Sequence, residues 1–204
     1  MVLFCDDDCA PAPDWAERLA RACPREGSAA GETLNDDHRD RVAAASQLLT
    51  SSLQRLSLRR DGTLGFAPTS NLAVSRELLE RVRFDETFPL AAGEDREWCA
   101  RAAAGGGGPV FVPGAVVRHR PDLSGLGGFW RQQVRYGRGA ALLRARGVAL
   151  AGPSRRLELM RSGLDEGMRV GALVTLAQVG VAVGFALERL RPGSKRPNVP
   201  RCPI

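Results

Sequence analysis

Three successive aspartates, Asp6, Asp7 and Asp8, follow directly on the apolar run Val2-Leu3-Phe4. Where a strand passes into a loop, alternate side chains point the same way. Asp6 and Asp8 can therefore converge on one oxygen-seeking cation while Asp7 faces elsewhere or meets a ribose hydroxyl. Two hard carboxylates suit Mg²⁺ or Mn²⁺ and leave coordination positions for phosphate oxygens. A solvated acidic turn fits the same triplet. The apolar strand before it favours the cation, because open α/β sheets bind ligands at the carboxyl ends of their strands.

A second acidic group, Gly93-Glu94-Asp95-Arg96-Glu97, opens a predicted helix. Carboxylates in a first turn complement the helix dipole and the free amides, which is one explanation. The other is Asp95 as a general base, with Glu94 orienting an acceptor hydroxyl. Gln132, Arg135 and Tyr136 fall at i, i+3 and i+4 and share a helix face. They can present an amide, a guanidinium suited to a diphosphate and a phenol to one ligand, or form a solvated Arg-rich face with Tyr136 on the core. His119 lies between Arg118 and Arg120 with no second ligand nearby in sequence, so its ordinary role is structural. His38, in a polar loop, offers less.

Elements must bring these residues together. The pattern predicts a short buried strand at residues 2–4, a turn at 11–14 with Asp14 as helix N-cap, and helices at 15–23 and 42–58. Residues 24–40 read as a loop and 65–74 as extended, with a helix opening at Ser75. A helix over 94–104 ends at the Gly105 to Gly108 run, and two paired short strands flank Pro113-Gly114. A long basic helix spans 125–145 and two more follow Gly152-Pro153.

With 204 residues, 44% hydrophobic and 25% charged, the chain has material for one sizeable core, which excludes collagen, coiled coil and wholesale disorder. The net charge of +6 comes almost wholly from arginine, Lys195 being the only lysine. Such a ratio reflects compositional bias more than a polyanion partner. With 5% aromatics there is little to stack bases, so no nucleic-acid partner is expected. Five scattered cysteines predict reduced thiols, and no basic, apolar leader precedes the aspartates, so the expected setting is cytoplasmic.

Taken in order, VLFCDDDCAPAPDW, TSNLAVSRELLERVRFDETFPLAAGEDREWCARAAAGG, VFVPGAVVRHR and FWRQQVRYGRGA resemble the glycosyltransferase family 2 pattern of the GT-A fold, over residues 2–140. The resemblance implies an α/β chain whose residues 1–147 form the C-terminal part of that Rossmann-like fold. A helical segment at 148–190 and a Pro/Arg-rich tail at 191–204 follow. It implies that Asp6, Asp7 and Asp8 stand at the DxD motif holding a cation on the donor diphosphate. His119 then stands at a further metal ligand and Asp95 at the base of an inverting transfer. Gln132, Arg135 and Tyr136 are similar to the QxxRW motif with Tyr for Trp. Ser70-Asn71-Leu72 looks like the acceptor-side segment. Two departures stand out. Arg81-Val82-Arg83-Phe84-Asp85 replaces the family's glycine pair, and a complete member carries roughly a hundred residues before the DxD strand. That implies a truncated chain that turns over a nucleotide-diphospho-sugar weakly or not at all.

Two other functions compete. A phosphohydrolase with a strand-end aspartate nucleophile needs a core lysine, and Lys195 lies in the tail, which sets it aside. The alternative is an inert remnant bound to a membrane or partner. Residues 170–187 carry no charge and as a helix reach about 27 Å, marginal for a bilayer core. Gly180 and Gly184 would let a second helix approach closely in lipid. An interfacial helix would suit a lipid-linked glycan acceptor; a buried core helix fits the same run.

Overall fold

The computed structural model describes residues 1–37, 39–89, 91–121, 123–150 and 152–191; His38, Lys195, Cys202 and the tail beyond Arg191 lie outside the described residues. The architecture is mixed α/β. Strands β1 (Val2–Phe4), β2 (Cys9–Pro11), β3 (Ser28–Asn35), β4 (Leu72–Val74) and β5 (Pro109–His119) form one sheet in the order β1-β4-β3-β5-β2. β3 and β5 are parallel, and every other neighbouring pair is antiparallel. The helices are α1 (Trp15–Ala22), α2 (Arg41–Leu56), α3 (Arg76–Arg81), α4 (Glu94–Ala104), α5 (Gly125–Ala145), α6 (Pro153–Asp165) and α7 (Met168–Leu190).

The segment expected as a loop at 24–40 contains β3, the central strand. Its sequence SAAGETLN lacks the β-branched and aromatic residues that mark strands, because close packing demands small ones here. A Cβ on Gly31 would sit 1.9 Å from the Ala115 carbonyl oxygen. The two short strands expected around Pro113-Gly114 are one strand, β5, whose register against β3 slips between Gly31 and Glu32. Ala115 at that irregularity offers its carbonyl to the Asn71 amide at 3.0 Å. Pro11, expected in a turn, closes β2 at a sheet edge, where a missing N–H costs no ladder bond. Val2 to Phe4 form the opposite edge and are only partly covered, not buried.

Alternation along the strands feeds two cores. Ala29, Ala73, Ala115 and Val117 pack under Trp15 and Leu19 of α1. Ala30, Leu72 and Val74 face Leu78 of α3 and Trp98, Cys99 and Ala102 of α4. A third core joins α2, α5, α6 and α7 through Leu49, Phe129, Leu159 and Val174. β4 covers β3 only along Ser28 to Ala30, so carbonyls further along β3 need other partners. Buried glutamines of α2 supply them: Gln54 donates to Gly31 O and Gln47 to Thr33 O, each at 3.0 Å. α2 is thereby clamped to the strand end where the chemistry lies. Asp40 caps it through the amides of Val42 and Ala43. Asp14, expected to cap α1, makes no such bond and pairs with Arg18.

Candidate functional site

A β-turn sets the acidic triplet. The Cys9 amide donates to the Asp6 carbonyl at 3.2 Å, which places Asp7 and Asp8 at the corners. Residues 5–8 thus carry the chain from one sheet edge to the other and end beside His119, the last residue of β5. Asp6, Asp8 and His119 line a cavity of about 530 Å³. Asp7, expected as a ligand-binding residue, is exposed and outside that lining, because it occupies the outer corner of the turn. Burial raises the Asp6 pKa, and Asp8 adds to the rise against the opposing pull of His119.

The histidine is oriented by a residue the sequence pattern did not single out. Gln47 donates its amide N–H groups to Thr33 O at 3.0 Å and Ser51 Oγ at 2.9 Å, so its Oε1 faces His119 Nδ1 at 2.8 Å. Nδ1 therefore carries the proton of the neutral ring, and Nε2 presents a lone pair. Nε2 stands 3.1 Å from Asp8 Oδ2. A ring proton on Nε2 or a shared metal ion would each satisfy that contact, and an imidazole nitrogen beside a carboxylate is a donor set that can hold a divalent cation. Cys9, paired with His119 across the sheet, donates its thiol to Asp8 Oδ1 at 3.7 Å. Its pKa is pushed up to about 12, by burial first and Asp8 next.

Asp95 enters the same cavity from the start of α4. The helix is entered through Gly93 at φ +100°, a left-handed conformation that favours glycine, and no side chain caps it. Asp95 accepts from its neighbour's amide, Arg96 N, at 2.7 Å. Burial, then the charge of Glu94, pushes its pKa up to about 7. A helix N-terminus lowers a carboxyl pKa, so burial outweighs the dipole here and helix-start chemistry alone does not account for Asp95. Glu97, the next acid, pairs with Arg101 at 2.6 Å and is structural. Glu94 Oε2 and Thr33 Oγ1 are buried at the cavity with no hydrogen-bond partner among the described residues. Orphaned polar atoms in a cavity wall match the hydroxyls of a polar ligand.

α5 brings Gln132, Arg135 and Tyr136 to the same cavity. Burial raises the Tyr136 phenol pKa, Arg135 opposes the rise, and Asp95, Glu94 and Asp6 add to it. The phenol therefore lies within the electrostatic reach of both acidic groups. Tyr136 keeps 37% of its surface exposed and is not a core residue. Gln132 Oε1 accepts from Ser46 Oγ at 2.9 Å and Gln133 Nε2 at 3.0 Å, which orients its amide. Ser70 lines the cavity, as expected. Asn71 does not. It is fully buried, accepts from Trp15 Nε1 at 2.8 Å and donates to Glu32 O at 3.1 Å and Ala115 O at 3.0 Å, so it serves the β5 irregularity and no ligand. α6 and α7 add Arg156 and Gln178 to the wall. Neither stood out in sequence, since both lie beyond the motif-bearing segments.

No protein-family model matches the chain, and no curated protein matches it in sequence.

Proposed function

We propose that the cavity is the site of an inverting, cation-dependent sugar transfer from a nucleotide-diphospho-sugar to an acceptor hydroxyl, on a GT-A-type fold similar to glycosyltransferase family 2. One observation carries the reading: acidic, imidazole, amide, guanidinium and phenol groups from the segments around residues 8, 95, 119 and 135 line one cavity. In this reading Asp95, with its pKa near 7, takes the acceptor proton; the acceptor oxygen bonds to the anomeric carbon as the bond to the diphosphate oxygen breaks. Glu94 Oε2 accepts a hydrogen bond from a substrate hydroxyl and so aligns it. Arg135 and the Tyr136 phenol meet the diphosphate, and the oriented Gln132 amide and Ser70 fix the sugar or acceptor. Mg²⁺ or Mn²⁺ held by Asp6, Asp8 and His119 would neutralise the charge developing on the departing diphosphate.

α7 supports the nature of the acceptor. It is long and apolar enough to cross a bilayer, at a mean hydropathy of 2.1, yet Gly184 and Gly137 bring it against α5 so closely that an added Cβ would meet Val134 O at 1.9 Å or Val181 O at 2.1 Å. The small residues serve packing within the chain. The opposite face, with Val179, Val183, Leu187 and Leu190, is exposed. We propose that this face rests on the cytoplasmic surface of a membrane, beside the cavity that Gln178 and Val181 help to line, and that the acceptor is a lipid-linked glycan.

The test is release of nucleoside diphosphate from a panel of nucleotide-sugars, with and without Mn²⁺, by the chain and by Asp95→Asn. Metal-dependent release lost in the variant supports the transferase. Release indifferent to Asp95 overturns its role, and none with any donor favours the inert remnant.

A further inference from the structure

Cys9 adds a soft donor to a cluster otherwise built for hard cations. The Asp8 carboxylate, the Cys9 thiol and a His119 ring nitrogen lie within 4.8 Å of one another. Asp8 Oδ2 is 3.1 Å from His119 Nε2, and Asp8 Oδ1 is 3.7 Å from Cys9 Sγ. Zinc at ordinary ligand distances, in a tetrahedron, separates nitrogen from oxygen by about 3.3 Å and sulfur from either by about 3.5 Å. The two spacings run to different oxygens of the Asp8 carboxylate and the three ligand atoms lie within 4.8 Å of one another, so small side-chain rotations bring them to three corners of a zinc tetrahedron. Cross-strand pairing of Cys9 with His119 fixes two corners, and Gln47 holds the imidazole with Nε2 outward, as partners of ligating histidines do.

We propose that Asp8, Cys9 and His119 form a Zn²⁺-selective centre with its fourth position open to a water or a diphosphate oxygen from the cavity. Mg²⁺ and Mn²⁺ take oxygen and imidazole and gain nothing from sulfur, whereas Zn²⁺ takes all three donors. Zinc binding releases the thiol proton to solvent and leaves Asp6 outside the coordination sphere. Because Asp8 and His119 serve both ions, Zn²⁺ displaces the cation of the proposed transfer. This competition, though not the zinc centre itself, rests on the transferase reading.

The experiment titrates the full chain with Co²⁺, whose thiolate charge-transfer band in the near ultraviolet reports sulfur ligation, and in parallel with Mn²⁺ followed by electron paramagnetic resonance. The band is expected in the wild type and in Cys5→Ser, absent in Cys9→Ser, and bleached by Zn²⁺. Zn²⁺ affinity is expected to fall about tenfold or more in Cys9→Ser while Mn²⁺ affinity stays within about twofold. Without any variant, Zn²⁺ is expected to slow alkylation of Cys9 by iodoacetamide about tenfold or more and leave Cys23 unaffected, read by mass spectrometry. No cobalt band, or a band surviving in Cys9→Ser, overturns the zinc centre, as does alkylation of Cys9 indifferent to Zn²⁺. Mn²⁺ binding that depends on Asp8 in those cases leaves the transferase cation standing. A sulfur band without any Mn²⁺ binding supports zinc and removes the hard cation.

Discussion

Asp95 is the residue on which burial and chemistry bear most directly. Its carboxyl moves from an ordinary 3.8 to about 7, so the folded chain holds a proton that the unfolded chain has released across that window. Folding stability attributable to Asp95 therefore falls as pH rises from 3.8 to 7, and the full penalty applies above 7. Asp95→Asn is expected to be more stable than the wild type by about 1–4 kcal/mol at pH 8, with the gain vanishing near pH 3.5, as read from urea unfolding at both pH values. The same substitution is expected to lower transfer about 10²–10⁴-fold. Gain in stability with loss of rate is the signature of a group strained for use, and a loss of both contradicts it. That Asp6, Asp8, Asp95 and Gln132, Arg135 and Tyr136 belong together was legible from residue type and spacing, and they line one cavity. Gln47 was not, because a glutamine on an amphipathic helix looks the same whether it faces water or holds a histidine. Asn71 misled because its neighbours matched a motif, while its role depends on an irregularity in a strand far away in sequence.

At the scale of elements, the helices were readable from apolar spacing and, for α3, from Ser75, whereas Asp40, which caps α2, read as loop and the expected cap Asp14 makes no capping bond. β3 was not, since its residues are small for the sake of neighbours supplied by β5 and Asn71, a tertiary requirement that outweighs strand propensity. Asn71→Leu is expected to cost about 3 kcal/mol or more, because it strands the Trp15 N–H and two backbone carbonyls in the interior. Thermal unfolding measures it, and an unchanged Tm contradicts the assignment. Gly184→Leu is expected to separate α7 from α5 and cost at least about 2 kcal/mol, since an added Cβ meets backbone rather than a movable side chain. It is also expected to distort the cavity wall at Gln178, whereas Ala186→Leu on the exposed face is expected to change neither.

For the whole molecule, α7 ties a surface to a site: one face forms the third core and the cavity wall, while the other remains apolar and exposed between Arg169 and Arg189. Replacing Val179 and Leu187 by glutamate is expected to abolish co-flotation with anionic vesicles without lowering Tm, whereas flotation of the double variant at the wild-type level contradicts a membrane role for that face. From sequence the glycine pair was legible as a close-packing device, but which helix would fill it was not, because pairing is decided by the fold. The central claim is that the acidic turn and α4 face one ligand. Its most direct test is electron paramagnetic resonance of Mn²⁺ titrated into the chain with a nucleoside diphosphate present. The expected result is a loss of free Mn²⁺ signal beyond that caused by the diphosphate alone, an excess abolished by Asp8→Asn and little changed by Asp95→Asn. Loss no greater than the diphosphate alone produces, or an excess loss that survives Asp8→Asn, contradicts the account.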